Sequence, residues 1–252
     1  LSYILLCILL MIGGVESNPG PNKYVKLKHL KACHLNIRGG MVNKITDLQT
    51  SLCKVYDIIT LSETFLTSNI LSEDLKLQGY QEIVRRDRPT HGGGLAVYIR
   101  EGLSFKRLVN NESGDIEQIW LQLITAEGKL LMCVTYRPPG QDEYWNLLET
   151  NIEQTKLDHS SVKYYMILGD LNADFKTKDG TCLNELCIVN NFHILIKEAT
   201  RITPQSQSVL DQILVNMPNF VRNSCVLPPA GYSDHCTVGV ELNFRINFDQ
   251  AY

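Results

Sequence analysis

Residues 164–175 read YYMILGDLNADF, an apolar run from Tyr164 to Leu168 that breaks off at Gly169 and Asp170. The run reads as a strand ending in a polar turn. Asp170 and Asn172 stand two apart, so they share a face if the chain stays extended. Working outward, seven more segments read as strands: 27–39 (LKHLKACHLNIRG), 56–63 (YDIITLSE), 92–102 (GGGLAVYIREG), 116–125 (IEQIWLQLIT), 129–139 (KLLMCVTYRPP), 208–216 (SVLDQILVN) and 236–244 (CTVGVELNF). Between them, 41–56, 142–155 and 182–191 carry helical patterns, the first with Ile45, Leu48 and Leu52 on one face. Strands and helices in this order predict an α/β (α+β) domain of two stacked mixed sheets with helices outside.

The bulk properties narrow the function classes. The chain has 252 residues, 44% of them hydrophobic and 20% charged, with net charge −3, which is globular composition without the basic excess of a non-specific polyanion binder. Its eight cysteines include no C-x-x-C pair, which argues against a zinc site or a disulfide framework and for a reducing compartment. The apolar run Tyr3–Ile12 is far shorter than the roughly 20 residues that span a bilayer.

Several strands end in a polar residue suited to metal and phosphate chemistry. They deliver Asn36, Glu63, Asp170 with Asn172, and Asp211, while the turn at 233–235 (SDH) delivers Asp234 and His235. Neighbours in a regular strand point to opposite faces, so Asp234 and His235 serve one site only from an irregular turn. Asp211 stands between apolar neighbours in VLDQIL and needs a cation or donor, because an isolated buried charge is costly. Converging carboxylates repel unless a cation neutralises them, and hard oxygen donors select Mg²⁺ or Mn²⁺ over Zn²⁺.

In order and rough spacing, N-x-R-G, S-E-T, Y-R-P-P, G-D-L-N-A-D, L-D-x-I and S-D-H resemble the endonuclease/exonuclease/phosphatase superfamily. HGGGLAVYIR and TYRPPG are most similar to the endonuclease domains of chicken-repeat-like non-LTR (LINE-type) retrotransposons. The resemblance implies a DNase I-like, four-layer αββα sandwich and hydrolysis of a DNA phosphodiester with Mg²⁺ (or Mn²⁺). It also implies residue roles. Glu63, Asn36 and Asp234 lie on the metal side, Asp170 orients or deprotonates the attacking water, and Asn172 and Tyr136 contact the phosphate. Asp211 sets the tautomer of His235, which acts at the scissile phosphate as base or electrostatic stabiliser. Ser208 stands at a position that reaches a phosphate. The implied activity is a single-strand nick leaving a 3′-hydroxyl that primes reverse transcription. The implied partners are DNA and a reverse transcriptase of the same element, with no membrane partner, for a monomeric domain acting in the nucleus. Two alternatives stay open: a phosphatase of the same superfamily acting on a phospholipid or nucleotide, and a catalytically silent nucleic-acid-binding domain.

Arg85 and Arg86, in RRDRPTHGGG, grip a DNA backbone or belong to a solvated hairpin loop. Arg137 has two readings as well, a phosphate contact or a surface salt bridge. Gln212 replaces the apolar or aromatic residue usual after the aspartate and is expected to alter packing. Residues 14–21 (GVESNPGP) resemble a ribosome-skipping 2A-type peptide, with Gly14 where that family has aspartate. Residues 1–21 are therefore expected to lie outside the fold and 22–252 to form one domain.

Overall fold

Long strands here bury alternate residues on two sides, and that period organises the chain. The computed structural model describes residues 28–89 and 92–246; the apolar run at 3–12 and the 2A-like segment fall outside the described residues. Strand β1 (Lys28–Asn36) leads through helix α1 (Met41–Ser51) to β2 (Ile58–Ser62), β3 (Val84–Arg86) and β4 (Leu95–Ile99). Then come β5 (Phe105–Arg107), β6 (Glu117–Thr125), β7 (Gly128–Tyr136), helix α2 (Tyr144–Asp158), β8 (Tyr164–Asp170) and helix α3 (Lys178–Asn190). The chain closes with β9 (His193–Ile194), β10 (Arg201–Ile202), β11 (Gln207–Ser208), β12 (Asp211–Val215), β13 (Val221–Leu227) and β14 (Thr237–Ile246).

Two six-stranded mixed sheets result, in the orders β13-β14-β1-β2-β4-β3 and β5-β6-β7-β8-β12-β9. Their facing sides form one apolar layer that includes Ala32, Ile58, Val97, Ile119, Met132, Val134, Leu168, Ile213 and Val240. The outer side of the second sheet packs Trp120, Leu131 and Ile167 against Leu148 and Ile152 of α2 and Leu183 of α3. The outer side of the first packs Cys33, Leu35 and Tyr98 against Met41 and Leu48 of α1. The expected four-layer αββα sandwich is the observed one.

Eight strands appear where the apolar runs predict them. The short strands β3, β5, β9, β10 and β11, and the edge strand β13, do not follow from the sequence pattern. In β13 the half-exposed VRNSCVL lacks the alternation that a period argument needs. Helix α3 begins four residues before the expected 182, because the Thr177 hydroxyl accepts from the Gly180 N–H and caps an earlier start.

Strand direction then gathers the polar ends. β1 and β2 run parallel, as do β7 and β8, while β12 runs antiparallel to β8 and β14 antiparallel to β1. The C-terminal ends of four strands and the N-terminal ends of two therefore meet at one rim. The face that carries Ala32, Val134, Leu168 and Ile213 turns polar there, at Asn36, Tyr136, Asp170 and Asp211, each reached in steps of two. Gly169 makes the approach of β8 to β7 close enough: a Cβ on it would fall 1.8 Å from the Thr135 carbonyl oxygen.

Candidate active site

Asn36 is the junction. Its Nδ2 donates to Glu63 Oε1 and to Asp170 Oδ2, both at 2.8 Å, and its Oδ1 accepts from the Arg38 backbone N–H at 3.0 Å. One fully buried amide thus couples the ends of β1, β2 and β8. Glu63 Oε1 also accepts from the Tyr136 hydroxyl at 2.9 Å. Burial and the charge of Glu63 push the Tyr136 hydroxyl pKa up, so it stays a neutral donor. Asp211 stands opposite Asp170 in the β8–β12 register, and its Oδ2 lies 2.8 Å from His235 Nδ1.

Electrostatics follow from this crowding. Asp170 is pushed up to about 7 by burial and by the charge of Asp211, against His235 and hydrogen bonds from Asn36 and the Asn172 N–H. Burial pulls His235 down, but its hydrogen bond to Asp211 and that carboxylate's charge outweigh it and raise the ring above its usual value. Asp170, Asp211 and His235 bring ligand-capable atoms within 4.8 Å of one another. His235 Nδ1 is already committed to Asp211, so this trio fits a proton-holding network. At the junction the Glu63 and Asp170 carboxylates, bridged by the Asn36 amide nitrogen, offer oxygen donors that suit Mg²⁺ or Mn²⁺.

The backbone is strained where the chemistry sits. Of the five non-glycine residues with positive φ among the described residues, Arg38 (51°), Glu63 (49°), Phe65 (53°) and Asn172 (47°) all lie in the rim loops. Such conformations cost of order 1–3 kcal/mol each and persist only where the surroundings impose them.

A family model described as the endonuclease/exonuclease/phosphatase family matches residues 33–235, from β1 through His235. The chain belongs to that hydrolytic family. The sequence search of curated proteins finds no match. Among solved structures, the chain is similar to the endonuclease domain of TRAS1, a telomere-specific non-LTR retrotransposon, with TM-score 0.68 and 13% identity over 88% of this chain and 100% of that one. It is also similar to the Xenopus laevis APE2 catalytic domain, with TM-score 0.67 and 17% identity over 88% of this chain and 94% of the other. A 3′ phosphatase from Neisseria, NExo, aligns with TM-score 0.65 and 14% identity over 84% and 99% of the two chains. At such identities the likeness shows the fold alone, the DNase I-like arrangement of two sheets between helices.

In this family member the rim brings together Asn36, Glu63, Tyr136, Asp170, Asp211 and His235. Other expected residues are used differently. Asn172 Nδ2 donates to the Arg137 carbonyl at 2.8 Å, which commits that amide to holding its own turn. Asp234, expected on the metal side, has its Oδ2 on Arg38 and Arg201, while its Oδ1 is buried without a hydrogen-bond partner among the described residues. Ser208 pairs with Arg201 across β10 and β11, beside the backbone bridge from Arg201 to His235. Arg85 is spent inside the protein, donating to the carbonyls of Ile70 (2.8 Å) and Thr67 (2.7 Å) and pairing with Asp87. Arg86 likewise donates to Gln118 (3.0 Å) and Ser113 (2.8 Å) carbonyls, so these two arginines bind loops together rather than forming an open grip. Arg137 is neither exposed nor open to a phosphate: its guanidinium is fully buried against Asp179 and the Trp145 ring.

Three supporting residues carry no site role in the sequence reading. The Thr200 hydroxyl accepts from the Leu210 and Asp211 N–H groups, setting the start of β12. The Ser233 hydroxyl donates to the Asn36 carbonyl at 2.7 Å and accepts from the His235 N–H, tying the closing turn to β1. His34, driven down to about 4 by burial, sits neutral between Thr60 and Ser62. Nothing but the S-D-H spacing signalled Ser233, and a lone Thr or His carries no spacing signal.

Gln212 is buried, and neither amide atom has a hydrogen-bond partner among the described residues. An uncompensated buried amide costs about 1–3 kcal/mol. Gln212→Leu is therefore expected to raise the melting temperature without lowering activity; a lower melting temperature would show that the amide is satisfied.

Proposed function

We propose that the chain is a Mg²⁺-dependent DNA endonuclease that nicks one strand and leaves a 3′-hydroxyl, within a non-LTR retrotransposon. The observation that carries this reading is the single Asn36 amide bonded at 2.8 Å to both Glu63 and Asp170, on the rim that also holds Asp211 and His235. Paired carboxylates joined by an amide, facing a raised imidazole, suit hydrolysis of a phosphodiester better than binding alone.

The residues divide the work by their charge. Glu63 and Asn36, with Asp170 beside them, would hold the divalent cation, which when bound stabilises charge on the phosphoryl and leaving oxygens. Asp170, its proton affinity lifted to about 7, is the group able to take a proton from water near neutral pH. His235 is held through Nδ1 by Asp211, whose hydrogen bond and charge raise the ring and favour its cationic form, leaving Nε2 to face the phosphate. Of its two expected roles, electrostatic stabiliser is the one this favours. Tyr136 adds a neutral hydroxyl at the phosphate. Likeness to the TRAS1 endonuclease domain supports a retroelement setting, in which the nicked end primes a partner reverse transcriptase in the nucleus.

Supercoiled plasmid incubated with Mg²⁺ should convert to open circles whose ends a DNA polymerase extends, and EDTA should stop it. Release of inorganic phosphate without nicking would replace this reading with the phosphatase. Salt-sensitive DNA binding without turnover would replace it with a silent binding domain.

A further inference from the structure

Asp234 and His235 are adjacent, yet their side chains serve different partners. Asp234 Oδ2 accepts from Arg38 Nη1 at 2.6 Å and from Arg201 Nε at 2.9 Å. Burial raises the Asp234 carboxyl, but hydrogen bonds from both arginines outweigh it and hold the group below the usual carboxylate range. Two cations on one anion leave a net positive charge. The arginine side chains stay 50% and 37% exposed, and a guanidinium has five N–H donors, so each presents further donors to solvent.

Both cations are anchored to the reacting groups. The Arg38 N–H donates to Asn36 Oδ1, and Arg201 bridges His235 through the backbone, while the Ile202 N–H donates to the Asp234 carbonyl at 3.3 Å. A DNA phosphate approaching this rim meets three carboxylates, Glu63, Asp170 and Asp211. A fixed positive charge beside them lowers that repulsion, and planar guanidiniums match phosphate oxygens.

We propose that Arg38 and Arg201, aligned by Asp234, form a clasp for a backbone phosphate flanking the scissile one, and that Asp234 is their positioning residue through Oδ2. The proposal rests on the nuclease reading for its substrate. It also explains the adjacency in S-D-H: one side chain sets the clasp, the next faces the reacting phosphate.

Binding of a duplex oligonucleotide, measured against salt in EDTA so that no turnover intervenes, tests the clasp. Arg38→Ala and Arg201→Ala should each weaken binding roughly tenfold or more and make the log–log salt slope shallower by about one. Arg38→Lys and Arg201→Lys, which keep the charge, should restore the slope but not the full affinity. Asp234→Asn should weaken DNA binding while Mn²⁺ affinity, followed by electron paramagnetic resonance without DNA, changes less than about twofold. Unchanged slopes in both alanine variants overturn the clasp, and loss of Mn²⁺ affinity in Asp234→Asn overturns the positioning role. A wild-type protein that binds DNA with the expected slopes but never nicks removes the nuclease reading and leaves the clasp standing. Nicking with unaltered slopes removes the clasp alone.

Discussion

Asp170→Asn is expected to cut the plasmid-nicking rate by about a thousandfold or more, the upper range for removing a positioned general base. The amide keeps the shape of the carboxylate, so lost packing is not the cause. The folded-state pKa of Asp170 is raised to about 7 from 3.8, so the native state binds the extra proton between those values. His235 is also raised, by its hydrogen bond to Asp211, and so adds to the same trend. Wherever the native state binds more protons than the unfolded one, stability falls as pH rises. Between pH 4 and about 6.5 the depressed His34 opposes this trend, so in EDTA the melting temperature should decline above about pH 6.5, and Asp170→Asn should flatten that decline. Activity within tenfold of wild type, or an unflattened melting profile, would remove Asp170 from the centre of the chemistry.

Arg137→Met should cost about 2–4 kcal/mol of stability, discounted from the value for a fully buried pair because Asp179 keeps 27% exposure. Methionine fills much of the volume but removes every donor. Arg137 Nη2 lies 2.5 Å from Asp179 Oδ1, and Nη1 donates to the Leu171 and Asn172 carbonyls at 3.4 and 3.3 Å. Those carbonyls belong to the turn that carries Asp170 and Asn172. Activity should fall with stability, since the turn loses its inner support, and a melting temperature roughly 5–15 °C lower is the matching thermal readout. Thermal denaturation of the variant within about 2 °C of wild type would mean that the turn holds itself.

The contrast between these residues locates what the sequence alone determined. Apolar runs such as YYMILGD and DIITLS are local signals, and they place the eight main strands. Asn36, Glu63, Asp170 and Asp211 are legible because each interrupts or ends such a run, and a period of two sends the first, third and fourth of them to the inner face. The rest was decided by sheet stacking. Arg38 meets Asp234 across 196 positions, and Asn36 meets Asp170 across 134, and no local pattern encodes such a distance. Arg137 looked like an open cation beside Tyr136 until strand β7 met the helices and buried it. Charge type is written in the sequence, but whether an arginine ends on a carbonyl, a carboxylate or a ligand depends on which chain segments packing brings within about 3 Å.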